Sequence, residues 1–208
     1  MWGKGTAQCV PSEVLIDNFI QHGFQFGMAL RQNCNTMLPR MINSCVRREV
    51  VDKIRETAPA FFLPVNPDFT SAFLQLREVP EVLCIDAALS IWGPASMSNA
   101  RNIRSRGEGH TRFFEDIARN WGLDNLTPTP IKSQHLINNL EYGDYLRLMP
   151  DGPRLSSADY ALMTLLDIVR TYKKRAMVSR EFQDWIKFIR KEIPRGLVGN
   201  ILKAGATL

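Results

Sequence analysis

The residues of this chain that are best suited to chemistry are arginines, and their densest group lies between residues 101 and 112. Arg101 and Arg104 are spaced i, i+3, so on a helix they point in the same direction. Arg106 follows in a glycine-bearing stretch, where a ligand can approach the backbone closely. Arg112 precedes two phenylalanines, one of which could stack on a base or pack in the core. Because the planar guanidinium matches phosphate, this group predicts contacts with a nucleic acid.

Two more basic groups extend this pattern. Arg47 and Arg48 are adjacent, and Lys173, Lys174 and Arg175 form a run. The run lies at the end of a predicted helix, where cations also stabilise the helix by about 0.3–1 kcal/mol without any ligand. The sequence is compatible with both interpretations, a phosphate-binding surface and a solvated helix end.

Groups for catalysis or metal binding are sparse. The three histidines are isolated, the four cysteines lack metal-ligand spacing, and no nucleophile elbow, Walker loop or dinucleotide fingerprint is present. Glu141 and Asp144 form one carboxylate pair, which we expect to be a solvated helix end. The sequence therefore predicts no catalytic residue, no metal site, no cofactor and no small-molecule substrate.

Composition favours an anionic partner. The 208 residues include 26 Lys and Arg against 21 Asp and Glu, which gives a net charge of +5 and a pI near 9.2. A positive net charge attracts anionic partners such as nucleic acid or a membrane surface. The start of the sequence has no apolar signal-peptide region, and no run approaches the roughly 18 apolar residues of a membrane span. With so few cysteines, we expect a reducing, cytoplasmic location, which for a viral protein means the infected-cell cytoplasm or the virion.

The spacing of apolar residues indicates helices nearly throughout. We expect an all-α fold over residues 1–208, as one globular domain with room for two lobes. Its parts are a flexible N-terminal segment (1–11), a helical core (12–193) and a C-terminal tail (194–208). A short non-helical or hairpin segment is expected near 141–155.

Capping residues and prolines set the expected helix ends. Ser12 is expected to cap the first helix, which should break near Gly23. Thr36 is expected to cap a second helix that runs to about Ile54. Further helices are predicted over 68–78, 80–92 from Pro80, and 132–141.

The last third gives the clearest pattern. Ser156 and Asp159 resemble a capping box, and PDGP at 150–153 indicates a turn. Ser179 is expected to cap a last helix that Pro194 ends. The apolar stripe of that helix consists of Phe182, Trp185, Ile186, Ile189 and Ile193.

Three short stretches in order, NFIQHGF (18–24), RMINSCVRR (40–48) and DAALSIW (86–92), resemble segments of the nucleocapsid proteins of phlebovirus-like segmented negative-strand RNA viruses. The resemblance implies a helical, two-lobed protein that holds single-stranded RNA in a basic cleft. It places the groove phenylalanine on Phe24 and the groove arginine on Arg48. The chain departs from the family at Gln21, where the family has an aromatic residue. It also has little room before residue 12 for the family's long N-terminal helix, so the tail could serve as the subunit-exchange arm.

Together these observations predict a non-enzymatic helical protein that forms homo-oligomers along single-stranded RNA. A filamentous coat protein would bind RNA through the same electrostatic and stacking contacts. The alternative is a helical scaffold or a membrane-associated matrix protein without a nucleic-acid role. The predicted RNA contacts are Phe24, Arg47, Arg48, Arg101, Arg104, Arg106, Arg112, Lys173, Lys174 and Arg175.

Overall fold

A computed structural model of the chain describes residues 6–23, 38–41, 44–58, 60–62, 66–86, 116, 119–120, 128–131, 136–171, 180–194 and 196. In these residues the fold is mostly helical, as the sequence predicts, with one small antiparallel sheet in addition. The longer elements, in chain order, are strand β1 (Thr6–Pro11), helix α1 (Ser12–Asn18), a π-helical turn (Phe19–Gly23), α2 (Arg48–Thr57), α3 (Pro67–Glu78), β2 (Glu81–Asp86), α4 (Ile137–Leu148), α5 (Ser157–Thr171) and α6 (Arg180–Glu192).

Helix α3 is the central element of the core. Proline at its first position and Asp68 in its first turn suit a helix start, and Arg77 lies in its last turn. Its residues from Phe69 to Leu76 are all buried, and it contacts α1, α2 and α4. Phe73 joins the π-helical turn to α4, because its ring lies 5.3 Å from that of Phe19 and 5.4 Å from that of Tyr145.

Helices α5 and α6 pack against each other and agree closely with the sequence prediction. The backbone N–H of Asp159 donates to Ser156 Oγ at 3.1 Å, and Ser156 Oγ donates to Asp159 Oδ2 at 2.6 Å, which confirms a capping interaction. The predicted apolar stripe of α6 is buried, and the helix ends at Glu192 as Pro194 requires. Ser179 lies outside the described residues.

The prediction of a helix over 80–92 is wrong for the part that the structure describes. Residues 81–86 form β2, which pairs antiparallel with β1 in the register Cys9↔Leu83. Residues 6–11 form β1, although we expected a flexible segment there. Exposure alternates along β2: Leu83 and Ile85 are exposed, whereas Val82 and Cys84 pack against the core. A short apolar run is compatible with either a helix or a strand, and here the hydrogen bonds with β1 favour the strand.

Ser12 belongs to this sheet junction and does not cap α1. Its hydroxyl donates to the carbonyl oxygen of Val79 at 2.6 Å, and its backbone N–H donates to the carbonyl oxygen of Pro80 at 2.9 Å. The α1 helix begins after Pro11 with no side-chain cap. A π-helical turn over Phe19–Gly23 follows α1, and the residues after Gly23, where a break is predicted, lie outside the described residues.

The second predicted helix begins later than expected. Residues 38–41 and 44–47 are not helical, and only Arg48–Thr57 forms α2. Leu38 is buried, and the side-chain amide of Gln75 donates to the carbonyl oxygen of Pro39 at 2.7 Å. This hydrogen bond from α3 satisfies the Pro39 carbonyl oxygen, which in a helix would accept from a backbone N–H instead. Packing against α3 therefore determines the structure of these residues, although their apolar spacing is helical. Thr36 lies outside the described residues.

Helix α4 continues to Leu148, so the predicted non-helical or hairpin segment near 141–155 is confirmed as a non-helical segment over 149–155 and is wrong for 141–148. Tyr142 and Tyr145 are buried on α4, and each holds the chain that follows the helix. The backbone N–H of Leu155 donates to Tyr142 Oη at 3.0 Å, and Tyr145 Oη donates to the carbonyl oxygen of Pro153 at 2.9 Å. The predicted turn at 150–153 is present between α4 and α5.

Candidate functional site

The predicted RNA contacts that the structure describes are Arg47 and Arg48. Both are exposed at the beginning of α2, with Arg47 at the N-cap position. Arg48 Nε donates to both carboxylate oxygens of Asp52 at 2.9 Å, so its charge is partly neutralised. The other predicted contacts lie outside the described residues: Phe24, Arg101, Arg104, Arg106, Arg112, Lys173, Lys174 and Arg175.

The two arginines lie among acidic neighbours at the beginning of a helix. The beginning of a helix carries a partial positive charge, which repels cations and attracts anions. Arg47 and Arg48 add two cations to that end of α2, and the exposed carboxylates of Glu49 and Asp52 balance them.

Charge is distributed unevenly along the chain. Residues 101–112 contain four arginines against one acidic residue, Glu108, and residues 173–175 contain three basic residues and no acidic one.

The carboxylate pair of the sequence prediction is not a solvated helix end. Glu141 and Asp144 are both buried on α4. Asn66 Nδ2 donates to Asp144 Oδ2 at 3.1 Å, and Arg147 Nη1 donates to Asp144 Oδ1 at 3.1 Å. Burial nevertheless raises the pKa of Asp144 from 3.8 to about 6, because these two donors only partly replace water.

Arg40 is a cationic neighbour of Glu141. Its guanidinium lies 5.6 Å from the centre of the Phe69 ring, in cation–π range, and interacts with the charges of Asp68 and Glu141. Burial lowers the pKa of Arg40 and raises that of Asp68, and the attraction between the two opposes both shifts. This charge cluster (Arg40, Asp68 and Glu141), in which Glu141 is buried and Arg40 and Asp68 are half-buried, connects residues 38–41 with α3 and α4.

The cluster joins one cation to two carboxylates, and Arg40 Nε is buried without a hydrogen-bond partner among the described residues. In the described ranges, no group of three or more His, Cys, Asp or Glu side chains is placed to hold a metal ion. We therefore interpret the cluster as a structural link between elements.

A surface pocket of about 410 Å³ lies between α1, the end of α3 and the turn at 150–153. Its apolar lining comes from Ile16, Leu148, Met149, Pro150 and Pro153. Its charged lining consists of Glu13, Asp17, Asp151 and Arg77. Sequence reasoning missed this pocket, because three separate segments build it and none carries a recognisable motif.

Comparison of the chain with protein-family models, with curated proteins and with solved structures yields no match. Within the part of the chain that the structure describes, no helix combines the length and apolarity needed to cross a membrane.

Proposed function

We propose that this protein binds single-stranded RNA through its basic stretches and assembles with further copies along the strand, in the manner of a nucleocapsid or coat protein. The observation that carries the proposal is the grouping of basic residues along the sequence, in 101–112 and 173–175. Cations grouped in this way neutralise successive phosphates more effectively than the same number of ion-paired cations scattered over a surface.

In the proposed mechanism the helical elements serve as the scaffold. The basic stretches capture the phosphate backbone and release its counterions, and Arg47 and Arg48 add two cations at the exposed start of α2. Aromatic side chains such as Phe24 stack on bases without regard to sequence. Binding is then tolerant of RNA sequence and strongly dependent on salt.

The test is the affinity for a short single-stranded RNA, measured across a salt series. We expect the logarithm of the association constant to fall by about 0.7 per contacted phosphate for each unit of log salt. The triple variant Arg101→Ala, Arg104→Ala, Arg106→Ala should reduce this slope by about 2. The variant Lys173→Ala, Lys174→Ala, Arg175→Ala should do the same.

A matched control removes three basic side chains from a folded helix. Lys187, Arg190 and Lys191 are exposed on α6, and their joint replacement by alanine changes the net charge by the same amount. We expect this control to keep most of the salt slope. If the salt slope decreases equally in all three variants, the affinity depends on net charge alone, and the RNA contacts are not those of the basic stretches. If the wild type shows no RNA binding but pellets with anionic vesicles, the membrane-matrix alternative is correct.

A further inference from the structure

The turn between α4 and α5 contains Asp151–Gly152, which is the one Asp-Gly step in the sequence, and the sequence has no Asn-Gly step. Asp-Gly steps isomerise readily, because glycine has no side chain to hinder the attack of its nitrogen on the preceding aspartyl group. Asp151 is exposed, so its carboxyl group is in contact with water. The turn therefore has the residues for isoaspartate formation, and its geometry controls the rate.

Isoaspartate formation needs no reagent except water. The Gly152 nitrogen attacks Asp151 Cγ, and a new C–N bond forms. A C–O bond of the protonated carboxyl group breaks, and its oxygen leaves as water with the carboxyl proton and the amide proton. Water then opens the resulting succinimide ring, either at the new bond, which restores aspartate, or at the original peptide bond, which gives isoaspartate. In isoaspartate the main chain is longer by one carbon atom.

The folded turn opposes the attack of the Gly152 nitrogen. The N–H of Gly152 donates to the carbonyl oxygen of Met149 at 3.1 Å, which places Pro150 second and Asp151 third in the turn. In turns of types I and II, which favour proline at the second position, the third residue has a ψ angle of about 0°. Ring closure requires the Gly152 nitrogen to eclipse Asp151 Cβ, which is a rotation of about 120° from that angle. The turn must therefore open before the nitrogen can attack.

Two side chains hold this turn closed. Tyr145 Oη donates to the carbonyl oxygen of Pro153 at 2.9 Å, and Arg154 Nη2 donates to the carbonyl oxygen of Pro150. Tyr145 is the firmer anchor, because its ring is fully buried in the core whereas the Arg154 contact is exposed. Gly152 lies directly against the Tyr145 hydroxyl, which leaves no room for a Cβ atom.

We propose that Asp151–Gly152 is a latent modification site, at which isoaspartate forms when the turn opens and which the Tyr145 hydroxyl protects in the folded chain. The added main-chain carbon would lengthen the turn where Gly152 packs against Tyr145, and a closely packed interior has no space for it. A modified chain could not re-form the native turn. Isomerisation would thus mark chains that have opened and keep them from refolding. The proposal stands independently of RNA binding.

The test incubates the full chain at physiological temperature and neutral pH and measures isoaspartate at position 151. Peptide mapping with electron-transfer fragmentation distinguishes isoaspartate from aspartate. The synthetic peptide LMPDGPRLS, residues 148–156, gives the rate of the same bond without the turn. We expect the folded chain to isomerise more slowly than the peptide by about tenfold or more, because local opening of the turn must come first. Asp151→Glu should give no isomerised product, because its longer side chain disfavours ring closure.

Tyr145→Phe keeps the buried ring and removes the hydroxyl that holds the turn. The rate in the folded chain should increase about fivefold, the effect of losing one hydrogen bond. Tyr160→Phe is the matched control, because it removes another buried tyrosine hydroxyl, which donates to Asn139 Oδ1 at 2.8 Å and lies outside the turn. We expect this control to isomerise at the wild-type rate.

Equal rates in the folded chain and the peptide would overturn the proposal, and so would a peptide that forms no isoaspartate. Equal acceleration in Tyr145→Phe and Tyr160→Phe would show that global unfolding controls the reaction and that the Tyr145 hydroxyl has no special role. If circular dichroism shows that Tyr145→Phe does not fold, the wild type in increasing urea replaces it. Isomerisation should then increase before the unfolding transition, and an increase only within the transition would contradict local opening. All of these measurements are made without RNA, so they do not depend on the proposed function.

Discussion

The hydroxyl of Tyr145 occupies the space that a side chain on Gly152 would need. A Cβ atom on Gly152 would overlap Tyr145 Oη, and would lie 3.2 Å from Tyr145 Cζ and 3.3 Å from Met149 Cβ. The Tyr145 ring is fully buried and its hydroxyl donates to Pro153, so it has little freedom to move aside. Glycine at 152 is therefore what allows the turn to close on α4.

The first prediction concerns this contact. We expect Gly152→Ala to destabilise the fold by about 2 kcal/mol, the usual range for overpacking against a fixed neighbour. Urea unfolding followed by circular dichroism measures the change. Gly196→Ala is the matched control, because a Cβ there meets nothing within 4 Å. Equal unfolding midpoints for the two variants would contradict the contact.

The second prediction follows from the pKa of Asp144. Burial raises that pKa to about 6 in the folded chain, so the folded state holds the proton more tightly than the unfolded state does. The resulting stabilisation is complete below about pH 4 and is lost as the pH rises through 6, to a total of about 3 kcal/mol. The raised pKa of Asp68 acts in the same direction.

Asp144→Asn removes one of these two titrating groups. The free energy of unfolding, measured between pH 4 and 7, should then decline less steeply than in the wild type. The slope is the readout, because the asparagine amide also changes the hydrogen bonds with Asn66 and Arg147 at every pH. Asp184→Asn, on the exposed side of α6, should leave the slope unchanged. A slope that is unaltered in Asp144→Asn would show that Asp144 does not titrate in this range.

The third prediction tests the start of α5. Ser156→Ala removes the acceptor of the Asp159 N–H and should cost about 1 kcal/mol. Ser157→Ala, one residue later and already helical, should change stability by less than about 0.5 kcal/mol. Thermal unfolding of the two variants side by side separates a capping role from a general effect of serine replacement.

Elements whose packing follows a local period could be predicted from the sequence, and α5 and α6 are of this kind. Elements whose secondary structure or burial depends on residues far away in the sequence could not be predicted. The run from Glu81 to Asp86 fits a helix or a strand until β1, some 70 residues earlier, pairs with it. Glu141 and Asp144 look like surface residues until α4 is covered by α3 and Asn66, 78 residues away, reaches Asp144.

The fourth prediction checks the strand assignment directly. In the sheet, Leu83 is 59% exposed while Val10, on the core-facing side, is 8% exposed. Leu83→Lys should therefore change stability by less than about 0.5 kcal/mol. Val10→Lys buries an amine without a partner and should cost several times more. Comparable losses in both variants would mean that Leu83 is buried and that the observed register is wrong.

The last prediction connects the Arg48–Asp52 pair with the proposed RNA binding. The two side chains are 77% and 49% exposed, and an exposed i, i+4 pair contributes only about 0.3–0.5 kcal/mol to stability. Asp52→Asn should consequently leave the fold intact and release Arg48 at the start of α2. If Arg48 contacts phosphate, RNA affinity at low salt should increase about threefold, the size expected for one removed repulsion in water. Glu49→Gln removes the same charge from the same turn without touching Arg48, so it should increase affinity less. Equal gains in both variants would point to net charge alone and remove Arg48 from the proposed RNA contacts.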